Sequence, residues 1–267
     1  MATHTEVFEE MLPGGSTNPG LVTRVGDTVR RPLRPTSGAT RALLDHLELV
    51  GFQGAPRYLG VDDRGREVLS YVAGQAALKP YETWALGDAA LISVAQLLRE
   101  YHDAVASFDF DGFGWPHPLP MPFRKDIVCH NDLNLDNIIF VDGRAVALID
   151  FDLASPGCVG WDLAGCARLW APLEIDFDRP TTDRRSLARL GLFADSYGAT
   201  TGQREEMADA MVPCHDWCHQ IVQDAVDSGH QTFRRYWLGG GQQRARSTRR
   251  WLLAYRAQIR AALGVDG

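Results

Sequence analysis

Residues 130–152 constrain this chain more than any other stretch. Ile138-Ile139-Phe140-Val141 and Arg144-Ala145-Val146-Ala147-Leu148 are short apolar runs joined by Asp142-Gly143. A two-residue reverse turn needs positive φ at its central positions, which Asp and Gly tolerate, so the spacing predicts a β-hairpin. Closing that hairpin brings Asn137, at the mouth of the first strand, beside Leu148 and close to Asp150. A carboxamide and a carboxylate then converge, an oxygen pair of the kind that holds Mg2+ together with phosphate oxygens and water. Asp132 stands five residues upstream of Asn137. From there it would reach a substrate hydroxyl if the cation held a nucleotide's phosphates, which is the division of labour that phosphoryl transfer requires.

The pattern His130-x-Asp132-x4-Asn137, followed by Ile149-Asp150-Phe151-Asp152, resembles the catalytic and metal loops of the aminoglycoside phosphotransferase and choline kinase-like family of small-molecule kinases, cousins of the protein kinases. The resemblance implies Asp132 as base, Asn137 and Asp150 on Mg2+, and His130 as a buried orienter of the loop. Trp161-Asp162-Leu163-Ala164 is similar to an element that follows the metal loop in this family, where the Asp is structural. Asp152 replaces the glycine of the protein-kinase metal loop, where it is expected to support the metal, touch a second ion or meet substrate. The implied fold is α+β and two-lobed, protein-kinase-like. It has a small antiparallel-sheet N-terminal lobe over residues 1–75 and a larger, mainly helical catalytic and acceptor-binding lobe over residues 76–267. The implied activity is ATP-dependent transfer of the γ-phosphoryl group to a hydroxyl of a small molecule, an aminoglycoside or other antibiotic among the candidates, with GTP not excluded. The competing reading is a catalytically degenerate nucleotide- or ligand-binding module on the same fold.

Composition enters mainly by exclusion. The net charge of −7 argues against nucleic acid as partner, since phosphate neutralisation needs a basic surface. There is no run of eighteen apolar residues, and Met1-Ala2-Thr3-His4-Thr5-Glu6 lacks a basic segment followed by an apolar one. Neither a membrane span nor a secretory leader is therefore expected. Five cysteines, an odd number in such a chain, fit a reducing cytoplasm better than a disulfide framework. Lys79 and Lys125 are the only lysines and neither follows a Gly-x4-Gly pattern, so P-loop chemistry is excluded. No G-x-S-x-G, H-E-x-x-H or G-x-G-x-x-G pattern occurs, which removes the common hydrolase, zinc-protease and Rossmann readings. The sequence does not set an oligomeric state.

Along the chain, Gly14-Gly15-Ser16 opens a loop before a hairpin of Leu21–Val25 and Thr28–Arg31 turning at Gly26-Asp27. In a kinase-like lobe Gly15 and Ser16 would cover ATP phosphates; a plain connecting loop is the alternative. The third strand of such a lobe carries a phosphate-gripping lysine, and here Arg30 or Arg31 stands in that place. Side chains alternate along a strand, so only one of them faces the nucleotide. Arg30 is favoured by its place in Val29-Arg30-Arg31-Pro32, which resembles a segment of some family members. Leu43, Leu47 and Val50 predict a helix over residues 38–50, stopped at Gly51. The glutamate that the family pairs with its lysine would fall near Thr40, and it is missing there. A third hairpin, Arg57–Gly60 with Glu67–Tyr71, runs into the segment expected to join the lobes, where Ser70 and Val72 would meet adenine. Leu91, Val94, Leu98, Tyr101, Val105 and Phe108 predict a helix over residues 88–107.

Helical patterning also covers residues 184–197, 203–228 and 242–263, with a loop at Gly239-Gly240-Gly241. The arginines of the last segment read as a solvated face. Cys214, His215, Cys218 and His219 have spacings that zinc could use. The two i,i+4 pairs nevertheless point about 100° apart on a helix, so a buried cysteine pair beside histidines is the simpler reading. Basic antibiotics are met by acidic side chains in this family. The acceptor candidates are therefore Glu174, Asp176, Asp178 and Asp216, with Trp161 and Trp217 as walls.

Overall fold

The computed structural model describes residues 9–12, 20–124, 126–173 and 183–265. Its N-terminal part is an antiparallel sheet of β1 (Glu10–Met11), β2 (Thr23–Val25), β3 (Thr28–Pro32), β4 (Tyr58–Val61) and β5 (Arg66–Ser70), in the order β1-β2-β3-β5-β4. Local chemistry sets the turns. Gly26 takes φ +59° between β2 and β3. Between β4 and β5, Asp62 Oδ1 accepts from the N–H groups of Arg64 and Arg66, at 3.0 and 2.8 Å. Helix α1 (Ser37–Leu49) buries Ala39, Thr40, Leu43, Leu44 and Leu47. It stops at Gly51, whose left-handed backbone (φ +80°) lets Phe52 N–H reach back to Leu47 O at 2.9 Å.

The remainder is mainly helical. Strand β6 (Gln75–Ala76) is followed by α2 (Asp88–Val105), then β7 (Ile127–Cys129), β8 (Ile138–Val141), β9 (Arg144–Leu148) and β10 (Ser155–Gly157). The α2 stripe Leu91, Val94, Leu98, Tyr101 and Val105 is wholly buried. At roughly 2 kcal/mol of transfer free energy per side chain, it anchors the core under the short strands. Tyr101 also donates its hydroxyl to Val128 O at 2.9 Å, fixing β7 from below.

Six helices complete the described chain: α3 (Val159–Trp170), α4 (Asp183–Tyr197), α5 (Thr201–Asp227), α6 (Gln231–Tyr236), α7 (Gln242–Ala254) and α8 (Arg256–Ala262). The predicted helix over 242–263 is interrupted at Tyr255 (φ −100°, ψ 14°). The loop expected at Gly239–Gly241 is instead a wide helical turn kinked at Gly239 and Gly240, the latter at φ +106°. Helix α3, which periodicity does not announce, crosses α5 closely. A Cβ on Gly160 would stand 2.4 Å from Glu206 Cβ, so glycine permits the approach. Among the described residues no helix is long and apolar enough to cross a membrane.

Candidate active site

The antiparallel pairing of β7 with β10, Cys129 opposite Ser155, sets the loop after β7 beside the loop after β9. The β8–β9 hairpin turns at Asp142 (φ +51°) and Gly143 (φ +75°), both in the left-handed region that the dipeptide favours. Ile149 N–H then bonds Asn137 O at 2.9 Å, continuing the ladder to the hairpin mouth. Asp132, Asn137 and Asp150 thereby share one cleft.

Asp132 is partly buried and held by two carboxamides. Asn134 Nδ2 donates to Oδ1 at 2.5 Å, and Asn137 Nδ2 donates to both Oδ2 and the backbone oxygen of Asp132, each at 2.9 Å. Burial, then the negative charge of Asp150, pushes the Asp132 carboxyl well above the usual range. Because the amide of Asn137 is spent on Asp132, its Oδ1 is left as an acceptor.

The catalytic loop hangs from a buried network. Asp162, in the first turn of α3, accepts from His130 N (2.8 Å), Asn131 N (3.0 Å) and His102 Nε2 (3.1 Å). Burial alone would raise its pKa, but the hydrogen bond and charge of His102 help hold it below the ordinary value. His102 Nδ1 in turn meets Tyr197 Oη at 2.8 Å. His130 donates from Nε2 to Ile149 O (3.1 Å), and its Nδ1 accepts from Asp132 N (3.3 Å). Burial pushes this imidazole down to about 4, so it is neutral and spans the two loops. Asn131, at φ +65°, donates to Leu153 O (2.9 Å) and accepts from Trp161 Nε1 (3.0 Å).

Asp150 is left-handed as well, at φ +63° and ψ +68°. Burial first, then the neighbouring Asp152, raises its carboxyl to about 7, against the pull of Arg31. Its Oδ1 is buried without a hydrogen bond. The Asn137 Oδ1 acceptor, this carboxylate oxygen without a hydrogen bond and the crowding of Asp132, Asp150 and Asp152 suit a hard divalent cation completed by phosphate and water. Among the described residues no three His, Cys, Asp or Glu side chains converge as a metal site. On α5, His215 Nδ1 bonds Asp216 Oδ1 and His219 Nδ1 bonds His215 O, at 2.9 and 2.8 Å.

Several expectations change. Arg31, rather than Arg30, faces the cleft. Its guanidinium meets Glu67 (2.5 Å), Asp152 (3.0 Å) and Asp150 (3.6 Å), whereas Arg30 points to the other sheet face, 3.6 Å from Asp62. The partner absent from α1 is supplied by β5, where Glu67, 1% exposed, is the cross-strand neighbour of Arg31. Asp152 is tied to Arg31 and, at 2.7 Å, to Arg34, so it acts as a counter-charge for two arginines rather than facing substrate. Trp161 cannot wall a substrate pocket: it is 1% exposed and packs against Phe123 and Trp217. Ser70 spends its N–H on Arg57 O (2.9 Å) and its hydroxyl on Arg57 N (2.8 Å), which leaves Val72 in the link beyond β5. Asp216 is held by Arg249 Nε at 2.9 Å. Gly15, Ser16, Glu174, Asp176 and Asp178 lie outside the described residues.

A cavity of about 380 Å3 opens next to the catalytic loop, with Asn134 and Asp136 on one side and Lys79, His219, Tyr236 and Arg244 on the others. Arg31 and Glu67 were each within reach of strand alternation combined with β3–β5 pairing. The cavity residues come from distant segments and carry no joint sequence signal.

Known proteins resemble this arrangement. The model of the phosphotransferase enzyme family matches residues 114–202. The trifolitoxin immunity protein of Rhizobium leguminosarum bv. trifolii is 31% identical, covering 94% of this chain and 96% of that protein. A homoserine kinase of Acidiphilium cryptum is 30% identical over 60% of this chain and 44% of its own. In three dimensions, a choline/ethanolamine kinase family protein from Mesorhizobium loti superposes with a TM-score of 0.63 at 18% identity. That superposition covers 98% of this chain and 94% of that one.

Proposed function

This chain belongs to the phosphotransferase enzyme family, and from that premise we propose that it is a small-molecule kinase with a hydroxyl acceptor, moving the γ-phosphoryl group of ATP, or of GTP, with Asp132 as base and Mg2+ on Asn137 and Asp150. The nucleotide would lie between a lobe of residues 1–75 and a lobe of residues 76–267. The observation that carries the reading is the Asp132–Asn137 hydrogen bond of 2.9 Å. It orients the carboxylate and at the same time aims the carboxamide oxygen away from it.

Asp132 takes the acceptor's hydroxyl proton as that oxygen bonds to the γ-phosphorus and the bond to the departing nucleoside diphosphate breaks. A carboxylate made more basic by its surroundings is better matched to that task near neutral pH. Asn134 and Asn137 fix its two oxygens, while His130 and Asp162 fix the backbone that carries it. Arg31 offers its guanidinium to the phosphates, kept charged and in place by Glu67. Mg2+, when bound, supplies neutralising charge to the phosphate oxygens. The Arg31–Glu67 pair weighs against the degenerate-module reading, because a buried ion pair is kept where the missing helix glutamate had suggested its loss.

The test couples binding to transfer. Mg·ATP or Mg·GTP should raise the melting temperature by mass action, and Asp132→Asn should keep that rise while losing turnover by about 100-fold or more. Wild-type turnover in this variant would sink the base assignment. A second reading, protection against a toxin, comes from the name of the immunity relative, which pairs along nearly all of this chain. It requires resistance conferred by the wild type and lost with Asp132→Asn.

A further inference from the structure

Among the described residues, the cavity beside the catalytic loop carries the opposite charge pattern to the one expected for a basic acceptor. Its described lining holds two cations, Lys79 and Arg244, against one carboxylate, Asp136. The Lys79 ammonium lies near enough to Asp136 to oppose the upward pull of burial on that carboxyl. Arg244 has no such counter-charge. Among the described residues it makes no ion pair, and its guanidinium stands over the Tyr236 ring, 5.2 Å from the centroid. The kinked turn at Gly240 brings the backbone up to this side chain: a Cβ there would lie 3.3 Å from Arg244 Nη1. An arginine stacked on an aromatic face keeps its planar fork free for a carboxylate.

The remaining wall suits the other end of a small molecule. His219 uses Nδ1 on His215 O, so Nε2 is left as an acceptor, and burial keeps the ring neutral by pushing its pKa down to about 4. Asn134 both lines the cavity and donates to Asp132, so a ligand against it stands one side chain from the proposed base. The volume of about 380 Å3 is at the low end of small-molecule sites. A polycation would place its ammonium groups against Lys79 and Arg244, where like charges repel.

We propose that this cavity is the acceptor pocket and that Arg244, seconded by Lys79, selects an acceptor carrying a carboxylate beside the hydroxyl to be phosphorylated. The inference rests on the phosphotransferase reading and narrows its acceptor from any small alcohol to hydroxy acids and hydroxy amino acids.

The experiment is calorimetric binding to the full chain without nucleotide. The carboxylate-bearing probes, called anionic below for that group, are the net anion 4-hydroxybutyrate and the zwitterions L-serine and L-homoserine; 4-amino-1-butanol, choline and kanamycin serve as cationic counterparts. At least one anionic probe should bind more tightly than every cationic one. Arg244→Gln should weaken it by about tenfold or more, as expected for loss of a charge-assisted pair, with melting temperature and Mg·ATP stabilisation unchanged. Lys79→Gln should weaken it in the same direction and serves if the first variant does not fold. Tighter binding of a cationic probe, unchanged affinity in both variants, or no anionic binding at all overturns the proposal. Failure of the kinase reading looks different: anions bind, but no probe accepts phosphate from Mg·ATP. Transfer to a cationic probe alone sinks the carboxylate assignment and leaves the kinase reading standing.

Discussion

Asp162→Asn removes one charge from a group that accepts three buried hydrogen bonds, from His130 N, Asn131 N and His102 Nε2. An asparagine can keep its oxygen on the Oδ2 side, where two of these donors converge, but its amide then faces Asn131 N–H, donor against donor. One charge-assisted bond, about 1.5–3 kcal/mol, is lost outright, and the buried N–H it served goes unpaired at about 1–3 kcal/mol. The two surviving bonds fall to neutral strength. Allowing for relaxation, the sum is roughly 4 kcal/mol, a large share of the ~5–15 kcal/mol that holds a domain folded. For a chain of this size that corresponds to a fall of roughly 10 °C in melting temperature. Urea unfolding followed by tryptophan fluorescence measures it, since Trp161 and Trp170 are buried beside the network. Turnover at saturating nucleotide should also fall, because the same bonds position the backbone that carries Asp132. A loss of stability below about 1 kcal/mol would refute the view that Asp162 suspends the loop.

Gly160→Ala should cost about 2–3 kcal/mol in urea unfolding, because its Cβ would press on Glu206 and on Met207 N, 2.8 Å away. Gly202→Ala in α5, with open space around it, should be neutral or slightly stabilising, and equal behaviour of the two would discount the helix crossing. Asp150 has a folded pKa of about 7 against 3.8 for a free carboxyl, so the folded state binds the extra proton and loses stability as pH rises from about 4 through 7. Asp150→Asn should therefore stabilise the Mg2+-free protein by about 1–2 kcal/mol at pH 8, after discounting for solvent screening. The advantage should vanish below pH 4, and a pH-independent difference would contradict the charge crowding.

What could be read from sequence was local. The Asp142-Gly143 turn, the His130–Asn137 spacing and the α2 stripe each depend on neighbours a few residues apart; the structure turns at Asp142-Gly143 and buries the α2 stripe. Helix α3 leaves no periodic signal for a physical reason: Trp161, Leu163, Ala164, Cys166, Ala167 and Trp170 are buried around its circumference, so there is no polar face to set a period. Trp161 reads as a pocket wall for a different reason: an isolated aromatic beside a motif does not disclose which way it points, and in the structure it is buried. Strand alternation established that Arg30 and Arg31 face opposite sides, but the choice between them belongs to the sheet. It was made when β3 paired with β5 and Arg31 fell opposite Glu67, a residue 36 positions away. Arg244 shows the limit most clearly. Within α7 it is one arginine among several and reads as a solvated face. Its distinction lies in the kink at Gly240, which turns it over Tyr236 and towards a cavity whose other walls come from residues 77–81, residues 134–136, Leu169 and His219. Six similar charges in one segment can therefore carry different functions, and only the packing around each of them says which.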